Sequence, residues 1–302
     1  MSKTKLISVV IAIYNKASAL PDTLTSLCGQ DGLGNRFILE FVLVDDASQD
    51  HSLVIATNCL QQYPVEVVSI ANESNAGPSI RLNQGMLVAR GDFILVYDAD
   101  DIAPSNLLQT MLNAIEKEHL DYVYGRSKKT MLTAPEVAKI ALPANPKLLI
   151  SEQPLLFTMK RNIVHPVALV RREVALRSGG CDEKVFIQDE SLALRLALAS
   201  HRVGLLLHPC RYVLMGSDTV VHLSDNIAQQ HHDQYRTYIN LLEKPGLTST
   251  QSKAIARRAV SPWWKSYRGT GFYPGILCCY LLSRIFPKLV LAAVRPAIEK
   301  YF

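Results

Sequence analysis

Short runs rich in β-branched and aliphatic residues alternate with helix-patterned stretches through the first 125 residues. Residues 6–13 (LISVVIAI), 39–44 (LEFVLV), 65–70 (VEVVSI) and 92–97 (DFILVY) predict strands, and 121–124 (DYVY) a short fifth. Between them, 18–29, 50–62, 78–89 and 105–118 predict helices. Leu20, Leu24 and Leu27 mark one apolar face of the first. Strand–helix alternation of this length predicts a mostly parallel sheet flanked by helices, an α/β fold whose strands are covered on both faces. The pattern loosens after 125. Residues 127–160 carry Pro135, Pro143, Pro146 and Pro154 and predict loops and short pieces. Beyond them, 188–200 and 226–243 predict helices, with short strands at 203–207 and 219–223.

Composition narrows the class. The chain has 302 residues, 48% hydrophobic and 20% charged, which excludes a disordered or fibrous chain. The net charge of +5 is too modest for a dedicated nucleic-acid binder. Its distribution is uneven: residues 260–302 hold six basic side chains, one acid, and 9 of the 22 aromatic residues. Six scattered cysteines without C-x-x-C spacing suit reduced thiols in a cytosol-facing protein. The apolar run 6–13 meets Tyr14-Asn15-Lys16 with no cleavage site, and reads as a buried strand rather than a leader.

Candidate chemistry lies at strand ends, where open α/β sheets bind ligands. Asp45-Asp46 end the second strand and Asp98-Ala99-Asp100-Asp101 the fourth. Three carboxylates in four residues call for a cation, and a hard divalent ion sharing its shell with phosphate oxygens answers that need. The same acids also suit helix N-caps. There is no G-x-G-x-x-G after the first strand and no P-loop motif, which excludes the usual dinucleotide and NTPase sites.

At these residues the chain resembles the family 2 glycosyltransferases, of GT-A (Rossmann-like) fold. The resemblance covers about residues 5–200. It rests on ISVVIAIYN (7–15), FVLVDDASQDHS (41–52), NAGPSIRLNQG (75–85) with ARGDF (89–93), and LVYDADD (95–101), the family's D-x-D. Gly179-Gly180-Cys181-Asp182-Glu183 and Gln188-Asp189-Glu190 resemble the acceptor-half motifs, with Cys181 and Gln188 replacing the usual Phe and Glu; Ala12 stands where many members have Pro or Thr. The resemblance implies a GT-A domain over 1–225, divided into a nucleotide-sugar half (1–125) and an acceptor half (126–225), followed by a helical extension over 226–302.

It implies metal-dependent, inverting transfer of one sugar from a nucleotide-diphosphate sugar, a UDP-sugar, to a glycan or lipid-linked saccharide in cell-surface polysaccharide biosynthesis. Tyr14 would stack on the base, Asp46 bond it and Asp45 support the ribose side, with Ala12, Asn15, Asn75 and Asp98 lining the nucleotide and Arg81 facing the phosphates. Asp100, with Asp98 and Asp101, would hold Mn²⁺ or Mg²⁺, with His222 a further metal candidate. Asp189 is the implied general base and Glu190 the fallback; an acid at a helix N-terminus also has a purely structural use. His165 is a cleft candidate, and His231-His232 read as a solvated helix face. The processive members' Q-x-x-R-W is missing. A non-catalytic scaffold on the same fold stays open, as does a sugar-phosphate nucleotidyltransferase, which wants a Gly-rich loop after the first strand.

Residues 263–302 mix aromatic, aliphatic and basic side chains. The longest run without a charge, 269–283, is 15 residues and contains Gly271, Pro274 and Gly275. A spanning helix needs about 20 apolar residues. The stretch therefore predicts contact with a membrane surface through 262–302, on the cytoplasmic face of a bacterial inner membrane; helices packed on the core, or an oligomer contact, are the other reading.

Overall fold

The computed structural model describes residues 4–163, 167–186, 188–215, 227–267 and 273–302, with Asp189 and Glu190 described for backbone only. His165, His222 and the strand expected at 219–223 lie outside the described residues.

The chain opens with β1 (Lys5–Ile13), α1 (Leu20–Cys28), β2 (Phe37–Asp45), α2 (Ser52–Leu60), β3 (Glu66–Ala71), α3 (Pro78–Val88) and β4 (Phe93–Val96). The expected apolar strands are all present and β3–β2–β1–β4 pair in parallel. The expected face of α1 is fully buried at Leu20, Leu24 and Leu27. The edge strand β3 departs from the expectation of strands covered on both faces: four of its six residues are exposed, because among the described residues no strand lies beyond it.

The second part continues with β5 (Asp101–Ile102), α4 (Leu107–Glu118), β6 (Tyr122–Thr130), α5 (Ala134–Ala138), β7 (Leu148–Ser151), α6 (Pro154–Arg161), β8 (Val167–Arg171), α7 (Arg172–Ser178), α8 (Gln188–Leu198) and β9 (Val203–Leu214). Here the sheet becomes mixed. β8 inserts antiparallel between β4 and β6, while β6 runs parallel to β9. The sheet order is β3-β2-β1-β4-β8-β6-β9-β5, with β7 on β9. Residue 125 falls inside β6, so the sheet is continuous across the two halves.

Two apolar layers sandwich this sheet. One buries Leu24, Leu27, Leu108, Met111 and Ile115 under α1 and α4. The other buries Leu82, Met86, Val174 and Leu196 under α3, α7 and α8. Gly85 lets α3 lie close on the sheet: a Cβ there would sit 2.5 Å from a Val10 methyl.

The chain ends in helices α9 (Ile227–Leu242), α10 (Ser249–Tyr267), α11 (Pro274–Leu282) and α12 (Pro287–Tyr301). A third cluster joins them to the domain, with Leu155 and Met159 of α6 and Leu194 and Ala197 of α8 packed on Tyr235, Tyr238, Val260 and Trp263. Val290, Leu291, Val294 and Ile298 recur at helical spacing and seat α12 on this cluster. That part of the tail packs on the core. The expected solvated pair is only partly exposed: His231 Nδ1 lies 2.9 Å from Ser266 Oγ and His232 Nδ1 2.9 Å from Asp233 Oδ1. Both are half-buried because α9 packs against α10.

Candidate functional site

The carboxyl ends of β1, β2 and β4 meet, and two loops there are stitched together by hydrogen bonds. Asp46 N–H donates to Ile13 O (2.8 Å), Asn15 N–H to Ser48 Oγ (3.1 Å), Lys16 N–H to Ser52 Oγ (2.7 Å) and Ala17 N–H to Asp50 Oδ2 (3.0 Å). Asn15 Oδ1 accepts from Gln49 N–H at 2.8 Å. Asn15 (φ 52°) and Ala47 (φ 62°) sit in the left-handed region. Asn visits that region readily, whereas alanine pays about 1–2 kcal/mol. Asn15 is thus a loop-fixing residue. Tyr14 beside it is 45% exposed.

Asp45 and Asp46 are both buried, with different surroundings. Asp46 accepts from Ala76 N–H (2.8 Å), Gly77 N–H (2.9 Å) and Arg81 Nε (2.6 Å). Arg81 departs from the expected place. It is neither on a solvated helix face nor open to a phosphate: it is buried, ion-paired to Asp46, and bonded to Ser74 O. A guanidinium this buried needs a carboxylate partner, and α3 turns it towards the end of β2. Asn75 Nδ2 donates to Asp46 O at 3.3 Å. Asp45 Oδ2 accepts from Ser48 N–H (2.9 Å), while Asp45 Oδ1 is buried without a hydrogen-bond partner. A buried carboxylate oxygen left unpartnered costs free energy until a donor arrives. Ala12, at the β1 end opposite Val44, is partly buried.

The three carboxylates divide: Asp98 and Asp101 meet at one cation, and Asp100 turns to another. Asp100 Oδ2 pairs with Lys16 Nζ at 2.7 Å. Arg211 Nη1 bridges Asp98 and Asp101, the latter at 2.8 Å. The charge that the sequence assigned to a divalent ion is therefore offset in part by two side chains, 84 and 113 residues away in the chain. Among the described residues, no three His, Cys, Asp or Glu side chains converge as metal ligands. Behind them, the Tyr97 hydroxyl is fully enclosed and unpartnered. Burial, reinforced by the Asp101 charge, raises its pKa well above the ordinary phenol value.

The acceptor-half motifs form a loop braced from two sides. Gly179 and Gly180 have φ of 72° and 67°, and a Cβ on Gly180 would lie 2.1 Å from Asn83 Oδ1. Asn83 of α3 pins the loop by accepting from Cys181 N–H (2.7 Å) and donating to Cys181 O (3.0 Å). On the other side, Asp233 of α9 accepts from Phe186 N–H (3.0 Å), and Asn240 donates to Asp182 (2.8 Å). Asp189 and Glu190 follow in the first turn of α8. Cys181, in place of the usual Phe, is buried in the second apolar layer.

Sequence reasoning missed Lys16, Arg211, Asn83 and Asp233. Lys16, adjacent to Tyr14-Asn15, and Asn83, inside the NAGPSIRLNQG stretch, carried a signal. Arg211 lies in a stretch, HPCRY, that gives no sign of facing Asp98 and Asp101.

Among solved structures, the fold is similar to S. aureus TarS 1-349, with a TM-score of 0.66 and 19% identity over 88% of this chain and 74% of that one. The same TarS fragment is also solved in complex with UDP-GlcNAc. In sequence, the chain is 24% identical over 255 residues to the cholesterol galactosyltransferase of Borreliella burgdorferi, covering 80% of this chain and 68% of that protein. It is 31% identical over 122 residues to glycosyltransferase GlyG of Streptococcus pneumoniae. That second match takes in 40% of this chain and 39% of GlyG. Residues 8–176, more than half of the chain, match the family described as Glycosyl transferase family 2. The chain belongs to that family and is a glycosyltransferase of GT-A-like fold.

Proposed function

We propose that this protein transfers one sugar, with inversion, from a UDP-sugar to a hydroxyl of a glycan or lipid-linked saccharide in cell-surface polysaccharide biosynthesis. The observation that carries the donor half is the unpartnered buried Asp45 Oδ1 beside exposed Tyr14, at the carboxyl ends of parallel strands. A ribose hydroxyl satisfies the carboxylate and a base covers the ring. Asp46, already fixed by two backbone N–H groups and Arg81, presents a rigid edge to the base.

Hard carboxylate oxygens on partly exposed Asp98 and Asp100 fit Mn²⁺ or Mg²⁺. Such ions commonly take one or two carboxylates and complete their shell with substrate phosphates, so no three-ligand cluster is required. Asp100, with Asp98 and Asp101 beside it, would hold the ion, whose chemistry is Lewis-acid stabilisation of the departing diphosphate. Lys16 adds a second positive charge at the same loop. Asp189, in the first turn of α8, takes the acceptor proton as the oxygen attacks the anomeric carbon and the nucleoside diphosphate leaves. One displacement inverts that carbon. Six free cysteines agree with a cytoplasmic setting.

The test is nucleoside diphosphate release from a panel of UDP-, GDP- and dTDP-sugars, with Mn²⁺ or Mg²⁺. We expect release from one donor, lost with EDTA and in Asp100→Ala. Silence across the panel, together with no metal-dependent UDP binding, overturns the donor assignment.

A further inference from the structure

The tail divides into a deeply seated α12 and a shallowly seated α11, whose Ile276 and Cys279 pack on the third cluster only in part. α12 is seated by Val290, Leu291, Val294 and Ile298, whereas α11 (PGILCCYLL) has no buried residue although every side chain in it is apolar or aromatic. The turn joining the two helices presents Leu281 (53% exposed), Leu282, Ile285 (69%), Phe286 (55%) and Leu289 (71%) side by side. Single exposed apolar residues are ordinary; a set gathered at one turn marks an interaction surface.

Charge selects the partner. Arg284 and Lys288 lie within this set and are exposed. Arg284 rests over the Tyr280 ring, 5.2 Å from its centroid, and donates to the Tyr280 hydroxyl at 2.7 Å. No Asp or Glu occurs between Glu243 and Glu299, while that interval carries nine Lys and Arg. An acid-free, basic segment ending in an apolar wedge complements a surface that is anionic outside and hydrocarbon inside. A nucleic acid would answer the charge and leave the wedge in water. No described helix is long and apolar enough to cross a membrane.

We infer that the α11–α12 turn is a monotopic membrane anchor: Leu281, Leu282, Ile285, Phe286 and Leu289 enter the acyl boundary of an anionic bilayer while Arg284 and Lys288 hold its headgroups. This inference does not rest on the donor reading. It gives the acceptor a place, since an enzyme held this way meets substrates borne on the same bilayer.

The experiment is cosedimentation of the full-length protein with vesicles of phosphatidylglycerol and phosphatidylethanolamine, against pure phosphatidylcholine, in low and high salt. UDP binding is measured separately on each variant. Binding to the anionic vesicles is expected, weakened by salt. Ile285→Asp with Leu289→Asp is expected to lower partitioning at least about tenfold. Arg284→Glu with Lys288→Glu is expected to lower it on anionic vesicles alone. All four positions are exposed, so thermal unfolding and UDP binding are expected unchanged. Quenching of Trp264, which stacks on Tyr280 at 5.7 Å, by brominated lipid gives an independent readout. Absence of vesicle binding, or binding indifferent to both variants, overturns the inference. So does a wild-type oligomer that Ile285→Asp with Leu289→Asp converts to monomer without vesicle binding, which would assign the turn to a second copy of this chain.

Discussion

Asp46 and Glu40 are single residues on which stretches distant in sequence depend. Among the described residues, Asp46 is the one carboxylate paired with buried Arg81. Asp46→Ala leaves that guanidinium uncompensated, so a loss of about 3–5 kcal/mol in urea unfolding is expected, along with lost UDP binding. Glu40 is fully buried in mid-strand, bonded to Ser8 Oγ, Arg90 N–H (2.9 Å) and Arg90 Nε (2.6 Å). Burial alone would raise its pKa; the Arg90 backbone, Ser8 and the guanidinium outweigh that and hold it below 4.5. A depressed carboxyl gives its stabilisation in full above the unfolded value and loses it as pH falls through the folded one. Glu40→Gln is therefore expected to flatten the fall in melting temperature below about pH 4.5, a difference read by calorimetry against pH. The acids of the site were legible because they end apolar runs. Their partners were not: Lys16 and Arg211 reach them only through the fold, and nothing local to HPCRY announces an ion pair.

At the scale of elements, helix–sheet contact decides what can change. Gly85 of α3 faces Val10, Val42 and Val44, so Gly85→Ala forces α3 off the sheet despite alanine's better helix propensity. A cost of about 1–3 kcal/mol is expected in denaturant unfolding. Asp233 belongs to the C-terminal bundle yet fixes Phe186 in the loop before α8. Asp233→Ala is expected to lower kcat several-fold at unchanged UDP affinity, because the loop ahead of Asp189 loosens while the β1–β2 end stays intact. Strands β1 to β4 were legible as apolar runs bounded by turns. β9 was readable only over 203–207; it continues to Leu214 through polar residues because it pairs with β6, with register shifts between Tyr124 and Ser127. That pairing is a tertiary fact with no counterpart in local periodicity.

For the whole molecule, the tail was legible as basic and aromatic but not as partly docked. The spacing of Val290, Leu291, Val294 and Ile298 marks an apolar stripe, yet only the fold shows that Trp263 and Val260 receive it. Removal of residues 273–302 uncovers that cluster, so the truncated protein is expected to melt several degrees lower and to bind a hydrophobic dye, rather than behave as a trimmed version of the intact enzyme. The antiparallel insertion of β8 also reaches into biosynthesis. β4 leaves the ribosome roughly 70 residues before the strand that covers its outer edge. At ordinary elongation rates this amounts to about 4–14 s during which the nascent chain shows an apolar strand with one edge unpaired. A ribosome stalled between residues 100 and 165 would thus release a product with a sticky edge, and its fate would be decided by chaperones rather than by its own stability.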